Sequence, residues 1–415
     1  MQTEQYDVIV AGGGSAGVAA AIASAETGAS TLLIEKYNCL GGASTMRGVS
    51  TYCGLYTLGD RPRQIVGGVA DRVLAGLRAR GALSDVQRHR GVFVVFDPES
   101  VKSVLDDLCS RAGVNVLLGA FVAGAQREGS KITSLTIADH SGLHRVCANA
   151  YVDCTGEGDL LAFGGADTRY GNDGAVNLGT LATRFGGIPE GIKVTAQDLA
   201  DAVANLGPAR IHVTKDRSVL VQLPISNDLV CYVASADYDP RDPASMSVAE
   251  RDGRQQAGHY LNALKTIPGC GAAYLVSTGP EFGTRESRHL MGVRMFRWQD
   301  VVDNTQFADC IGYGAWGAEW HDRSDFSSSF DFPPRGDAYQ IPLSCLTSRN
   351  TQGVFAAGRL ADGDRLGGAA IRVMGTAFVT GQACGVAAAL GVKEPGPDIT
   401  NIQKILRNQG ALLEI

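Results

Sequence analysis

Aromatic residues are scarce in this chain: Phe, Trp and Tyr make up 7% of 415 residues. Proline is also sparse, at 14, whereas glycine reaches 53, nearly twice its usual share of about 7%. The glycines show no Gly-X-Y period, which excludes a collagen-like rod. The ten cysteines form no C-x-x-C pair, so neither a structural zinc nor a thioredoxin-like redox pair is expected, and no metal-ligating set stands out. No run of lysine or arginine exceeds two residues and the net charge is −6, which argues against nucleic acid or an anionic membrane as the main partner. Residues 8–25 carry no charge and meet the length rule for a membrane span. Three consecutive glycines interrupt that stretch, Asp7 and Glu26 flank it, and Glu4 precedes it without any basic residue. That argues against a span or a secretory leader, so a cytoplasmic protein with reduced thiols is expected.

What is present is enough to fold. The chain is 45% hydrophobic and 19% charged, and its length suggests about two to three domains. A β-branched run over 6–11, a glycine turn, an alanine-rich helix over 18–26 and a second apolar strand over 31–34 form one β-α-β unit. Helices are expected over 69–80 and 98–112, the second with Pro98 in its first turn. Strands follow over 114–118, 131–138, 143–146 and 151–154, with 139–142 as a hairpin turn. Strands over 219–223 and 229–234 and a helix over 247–266 mark a different texture in the middle. Residues 322–335 read as a loop. A strand over 354–358, a glycine-rich loop at 367–369, a long small-residue helix over 376–390 and a short helix over 398–408 close the chain. The first and last thirds resemble each other, so the outer domain is expected to be discontinuous.

Gly12-x-Gly14-x-x-Gly17 lies between that first strand and helix, and Glu35 ends the next strand. In this context the three glycines have separate jobs. Gly12 permits a tight turn, Gly14 leaves room for a pyrophosphate, and Gly17 lets helix and strand approach. Ser15 and Ala16 open the helix, whose free N–H groups and partial positive charge suit phosphates. Glu35 would accept from the ribose hydroxyls. The loop alone does not separate NAD from FAD. A second match, Gly312-x-Gly314-x-x-Gly317, contains Trp316 and precedes a polar run rather than an apolar helix, so it is rejected as a dinucleotide site.

Three features favour FAD: Gly41-Gly-Ala-Ser-Thr45 just past the acid, a strand ending at Asp153-Cys-Thr-Gly156, and Val354-Phe-Ala-Ala-Gly358-Arg359. With Leu40-Gly-Gly42, Asp153-Cys-Thr-Gly-Glu-Gly-Asp159, Gly283-Thr-Arg-Glu-Ser-Arg288, the segment from Asp309 through Trp316 to His321, Asp337-Ala-Tyr-Gln-Ile-Pro342, Arg372-Val-Met374 and Gly381-Gln-Ala383, the chain resembles the FAD-dependent oxidoreductase family. Within the glutathione-reductase-like superfamily this branch neighbours the succinate dehydrogenase and fumarate reductase flavoproteins. The resemblance implies an α/β fold. A Rossmann-like FAD-binding domain of three layers, with a parallel sheet and a β-meander, would span 1–163 and 337–415. A β-rich α+β cap would be inserted at 164–336. Noncovalent FAD would meet Gly12, Gly14, Ser15, Ala16, Gly17, Glu35, Lys36, Gly41, Gly42, Ala43, Ser44, Thr45, Val122, Cys154, Thr155, Gly156, Gly358, Arg359, Gly367, Gly368 and Ala369. The backbone of 367–369 and the start of the following helix would steady charge on the reduced flavin.

For the chemistry itself, His321, His289, Arg285, Arg288 and Arg365 are the candidates. Histidine titrates near neutral pH and suits a base, and arginine clamps carboxylates or enolates. Relatives often have two arginines where this chain has Arg288-His289, and a histidine where it has Arg365. The reading is an FAD-dependent dehydrogenase, oxidase or reductase acting on a small molecule bearing a carboxylate or carbonyl. A flavoprotein monooxygenase and a non-catalytic FAD-holding subunit are the rivals. The electron acceptor and any homo-oligomer stay open.

Overall fold

Alternation along the first strand, Glu4–Ala11, decides the layering. Val8 and Val10 enter one apolar core, while Ile9 and Ala11 enter another, as successive side chains of a strand must. The structure, a computed structural model, describes residues 4–334, 338–393 and 398–415.

The main sheet has seven strands. Six run in the order Asn115–Leu118, Thr31–Glu35, Glu4–Ala11, Gly142–Asp153, Lys131–Asp139 and Phe121–Glu128, and Val354–Ala356 also pairs with Gly142–Asp153. The pairings among the first four strands are parallel, as is that of Val354–Ala356. The remaining strands form an antiparallel meander. On one face lie the helices Ser15–Glu26, Val69–Arg78, Pro98–Arg111 and Met374–Lys393. On the other, Val122, Ile132, Leu135 and Ile137 of the meander pack with Ile9, Leu32 and Ile34. The result is three layers: helices, parallel sheet, meander.

The middle of the chain builds a four-stranded antiparallel sheet, ordered Leu220–Gln222, Leu229–Ala236, Gly179–Gly186, Tyr274–Thr278. Helices Ala196–Ala204 and Pro243–Leu264 share its core. Val221, Val230 and Tyr232 of this sheet pack with Phe93 and Val95 of the strand Val92–Val95.

Five sequence expectations need correction. Residues 142–153 are one 12-residue strand, not two, because the same strand pairs with the meander at one end and with Glu4–Ala11 at the other. The middle helix begins at Pro243, where the Asp242 carboxylate accepts from Ala244 and Ser245 N–H; Asp-Pro is a capping signal. Part of the supposed loop 322–335 is the strand Ser328–Asp331, paired with Ala318–His321. The glycines at 367 and 368 lie in the helix Arg365–Ile371, capped by Asp364. The apolar segment 8–25 is strand, turn and helix; among the described residues the helix long and apolar enough to cross a membrane is Met374–Lys393, and it is buried in the core. The expected boundary at 336/337 and the first residue of the 337–342 motif fall outside the described residues.

Small residues let Met374–Lys393 lie directly on Ser15–Glu26. A Cβ on Gly381 would come within 2.0 Å of Ala16 O, and one on Gly385 within 2.1 Å of Ala20 O. Gly385→Leu is therefore expected to lower stability by about 1–3 kcal/mol or more through overpacking, read as a lower urea midpoint at unchanged slope. An unaltered midpoint would mean the two helices do not touch there.

Candidate functional site

In the turn after the first strand the three glycines stand in different surroundings. Gly12 has φ +95°, and a Cβ there would lie 2.4 Å from Cys154 O. A Cβ on Gly17 would lie 1.7 Å from Gly12 O. At Gly14 a Cβ would meet no protein atom nearer than Gly42 Cα at 3.8 Å, so that glycine serves the open space beside it. Glu35 is buried and accepts from Gly13 N–H at 2.5 Å and Tyr37 N–H at 2.9 Å. Burial raises its pKa, and those two N–H groups oppose the rise.

Gly12, Gly14, Ser15, Ala16, Glu35, Lys36, Gly42, Ala43, Val122, Cys154, Thr155, Gly156, Gly358 and Arg359 line one cavity. Asp153 organises the Cys154–Gly156 turn: its carboxylate accepts from Thr155 N–H at 2.9 Å, Thr155 Oγ1 at 2.7 Å and Leu161 N–H at 2.9 Å. Burial nevertheless lifts its pKa to about 6.

Sequence reasoning missed the charged brace of this cavity. Glu157 accepts from Arg47 Nη2 at 2.9 Å and Arg359 Nη2 at 2.6 Å. Arg47 Nε also reaches Glu281 at 2.6 Å, and Glu281 accepts from the Tyr37 hydroxyl. Burial would raise the Glu157 pKa, but Arg359 and Arg47 overcome it and hold the carboxyl at about 2. No spacing rule marks residues 47, 157, 281 and 359 as partners; only the fold joins them.

Three buried polar atoms on residues of this cavity wall have no protein partner: Ser15 Oγ, Arg359 Nη1 and Arg372 Nε. A ligand rich in oxygen acceptors and carrying negative charge answers all three. With the glycine turn, the open space at Gly14 and the ribose-ready Glu35, the residues fit a dinucleotide.

A second cavity, of about 220 Å³, adjoins the first and shares Ala43, Arg47, Arg359, Arg372 and Met374 with it. Phe93, Val219, Tyr232 and Trp316 supply apolar wall, while Arg285, Glu319, His321 and Arg372 supply charge and hydrogen bonds. Arg285 Nη1 donates to Leu178 O and Thr180 Oγ1, both at 2.7 Å. Burial, then the neighbouring Arg372, lowers the Arg285 pKa to about 10, so it stays cationic. His321 is buried, with Nδ1 2.8 Å from Ser328 Oγ and Nε2 3.4 Å from Glu319 Oε1. The expectation that His321 titrates near neutrality fails: burial and Arg285 push its pKa down to about 3. His321, Arg372 and Arg285 hold Glu319 well below the carboxylate range despite its burial.

The other proposed catalytic residues lie elsewhere. His289 is buried with Nδ1 2.9 Å from Ala361 O and Nε2 2.8 Å from Glu286. Glu286 in turn accepts from Asn177, whose side-chain oxygen accepts from His321 N–H at 2.9 Å; His289 braces His321 instead of facing the cavity. Arg288 donates to Glu157 O at 2.8 Å. Arg365 is exposed and stacks on Trp320, 4.1 Å from the ring centroid. Among the proposed cofactor contacts, Gly41, Ser44 and Thr45 shape the turn itself: Ser44 Oγ donates to Gly41 O and Thr45 Oγ1 to Leu40 O. Gly367, Gly368 and Ala369 line neither cavity, and the Gly367 and Gly368 N–H groups are taken by Asp364. At the place assigned to them the cavity walls carry Arg372 and Met374.

A dinucleotide-type turn beside a second, cation-rich cavity suits a cofactor-dependent enzyme. The chain matches the family described as FAD dependent oxidoreductase over residues 7–406 and belongs to that family. FAD is its cofactor and oxidoreduction its chemistry. No curated protein matches it. Among solved structures it is similar to a geranylgeranyl bacteriochlorophyll reductase-like protein from Thermoplasma acidophilum, at 12% identity and TM-score 0.48, covering 98% of this chain and 83% of that one. It is also similar to p-nitrophenol 4-monooxygenase PnpA from Pseudomonas putida DLL-E4, at 13% identity and TM-score 0.48, covering 98% and 84%. A third is the flavin-dependent brominase Bmp2, at 14% identity and TM-score 0.47, covering 97% and 83%.

Gly14→Val is expected to give a folded apoprotein, because the added side chain meets open space rather than protein. Flavin absorbance against circular dichroism reads this, and full FAD occupancy would refute the placement. Glu157→Gln takes from Arg359 its carboxylate and from Arg47 one of its two, and is expected to cost about 3–5 kcal/mol. The pH sign follows from the lowered pKa: the Glu157 contribution is complete above the unfolded carboxylate value of about 4.3 and is lost as pH falls towards about 2. Denaturation between those limits should be steeper in the native protein than in the variant, and equal slopes would remove Glu157 from the acid response.

Proposed function

We propose that the second cavity takes a small organic anion, carrying a carboxylate or an enolisable carbonyl, and that this molecule exchanges a hydride with noncovalently held FAD. One observation carries the reading: among the described residues, five arginines (Arg47, Arg90, Arg285, Arg359 and Arg372) line that cavity against one carboxylate, Glu319. Arg47 and Arg359 are each paired with Glu157. Arg285 and Arg372 have no such dedicated acid: Arg372 Nη2 donates to Glu319 O at 3.0 Å but comes no nearer than 4.0 Å to the Glu319 carboxylate, and Arg372 Nε is buried without a partner. Guanidinium pairs left in this condition suit a carboxylate or a developing enolate.

The flavin supplies the two-electron chemistry when bound. The chain supplies position and charge. Arg285, fixed through Leu178 and Thr180, would hold the anionic end. Phe93, Val219, Tyr232 and Trp316 would hold the apolar body and exclude water. His321, uncharged at neutral pH, would contribute a neutral ring nitrogen.

On this reading 1–163 and 337–415 hold the cofactor and 164–336 covers it, within the glutathione-reductase-like superfamily. The glycine turn and the meander behind the parallel sheet support that placement. The cytoplasm is the proposed compartment, and a small molecule the partner, with neither nucleic acid nor membrane.

Anaerobic flavin bleaching against hydroxy acids, oxo acids, neutral ketones, amines and NAD(P)H tests the proposal. Bleaching by carboxylates or oxo acids is expected, with Arg285→Met weakening their binding about 10- to 100-fold, the scale of a lost charge-assisted hydrogen bond, at unchanged FAD occupancy. Bleaching by neutral compounds alone would overturn the anion reading. Bleaching by NAD(P)H followed by oxygen-dependent substrate hydroxylation would favour a monooxygenase.

A further inference from the structure

His321 lines the second cavity with a ring whose two nitrogens stand in different company. On the strand Ala318–His321, residues 319 and 321 are two apart, so both side chains leave the same face. Glu319 Oε1 thereby comes within 3.4 Å of His321 Nε2. In the neighbouring strand His321 pairs directly with Ser328, which brings Ser328 Oγ to 2.8 Å from Nδ1. The main chain under the ring is held at both ends: His321 N–H donates to Asn177 Oδ1 and His321 O accepts from Leu178 N–H, each at 2.9 Å. Leu178 O also accepts from Arg285 Nη1 at 2.7 Å, so the ring and the guanidinium share an anchor.

These partners decide where the single proton of a neutral ring sits. At neutral pH Glu319 is ionised and His321 is uncharged. An ionised carboxylate only accepts, whereas a serine hydroxyl turns to donate or to accept. With the proton on Nδ1, the Nε2 lone pair would face an anionic oxygen across low-dielectric protein, where the repulsion is strong. With the proton on Nε2, the N–H faces that oxygen and Ser328 Oγ–H donates to Nδ1. Ser328 suits either form; Glu319 suits one.

A separation of 3.4 Å is nevertheless too long for a good hydrogen bond, and among the described residues the buried Nε2 has no hydrogen-bond partner. Glu319 orients this N–H and leaves it unspent, and a buried donor in that condition calls for an acceptor. The other histidine of the cavity wall, His89, is exposed, and its ring makes no hydrogen bond with the described residues.

Resting on the assignment of this cavity to substrate, we propose that His321 is a neutral hydrogen-bond donor, its Nε2–H meeting the substrate oxygen that gathers negative charge as the hydride moves, and that Glu319 is the positioning residue that fixes this tautomer. That oxygen is an enolate or an alkoxide. A donor already aimed at developing charge stabilises the transition state more than the ground state. His321 itself neither gives nor takes a proton.

Two measurements test this. The first needs no substrate. FAD-loaded enzyme carrying nitrogen-15-labelled histidine is read by imidazole NMR correlation near neutral pH, with His321 identified by the signals lost in His321→Gln. The proton should reside on Nε2; a proton on Nδ1, or on both nitrogens, overturns the proposal. In Glu319→Met the Nδ1–H form should appear, and a ring that stays wholly Nε2–H there overturns the role of Glu319. The second uses the carboxylate or oxo acid that bleaches the flavin. His321→Leu should slow single-turnover reduction by about 10²–10³-fold, the scale of a lost oxyanion donor, with FAD occupancy and the half-saturating substrate concentration little changed. His321→Gln, whose amide donates but cannot serve as a base, should recover most of that loss. A His321→Gln enzyme as slow as His321→Leu overturns the donor role. Native-rate reduction in His321→Leu overturns it too and leaves the anion site standing. If no carboxylate or oxo acid bleaches the flavin, the cavity assignment fails, and this role with it. Should the His321 variants not fold, the shift in Glu319→Met identifies the His321 signals and the first measurement decides.

Discussion

The contact between Ser15–Glu26 and Met374–Lys393 sets the position of almost everything else. Two helices whose backbones approach as closely as Gly381 and Gly385 allow cannot slide or roll without collision. The C-terminal segment is thereby locked onto the turn that begins at Gly12. That lock delivers Gly358 and Arg359 to one side of the cofactor cavity and Arg372 and Met374 to its inner end. It also explains the composition. A chain with this much alanine and glycine and so few rings builds its core from close backbone approach, and dispersion between backbones replaces the bulk of large side chains.

What was legible in the sequence was local. The strand–turn–helix at 6–26, Glu35 and the Asp153-Cys-Thr-Gly156 turn each depend on residues within a few positions of one another, so spacing alone exposes them. The 142–153 strand shows the limit. Residues 147–150 do alternate in burial, but Cys147-Ala-Asn-Ala150 holds too few large apolar side chains for the sequence to display it. The 367–369 glycines misled for a related reason. Glycine suggests a loop, and here it permits a helix to pass within 2.8 Å, measured from a Cβ at Gly367, of Phe296 O.

The site charges were hardest to read because their meaning lies in their partners. Arg288, His289 and Arg365 are all polar residues in promising motifs, and each is consumed elsewhere. His289 is instructive. Through Glu286 and Asn177 it fixes the main chain of His321, so a residue chosen for chemistry proves to be scaffolding for another. His321 carries the opposite lesson. It lines the second cavity, but a buried imidazole under the charge of Arg285 cannot hold a proton as a free histidine does, whatever Glu319 returns.

The two cavities are not electrically independent. Arg47, Arg359 and Arg372 border both, and a charge placed in either is felt by the same guanidinium groups across low-dielectric protein. Glu157 neutralises part of that positive field permanently, since Arg359 and Arg47 keep it ionised at any ordinary pH. The balance is left to the ligands. A polyanionic cofactor in the first cavity reduces the surplus, which lessens the penalty on every other cation nearby and weakens the pull on a second anion. The chain resolves that conflict by division. Arg47 and Arg359 are tied to Glu157 beside the cofactor, whereas Arg285 is tied only to the neutral oxygens of Leu178 and Thr180. Its charge is therefore the one that stays undiminished for the second cavity once the first is filled.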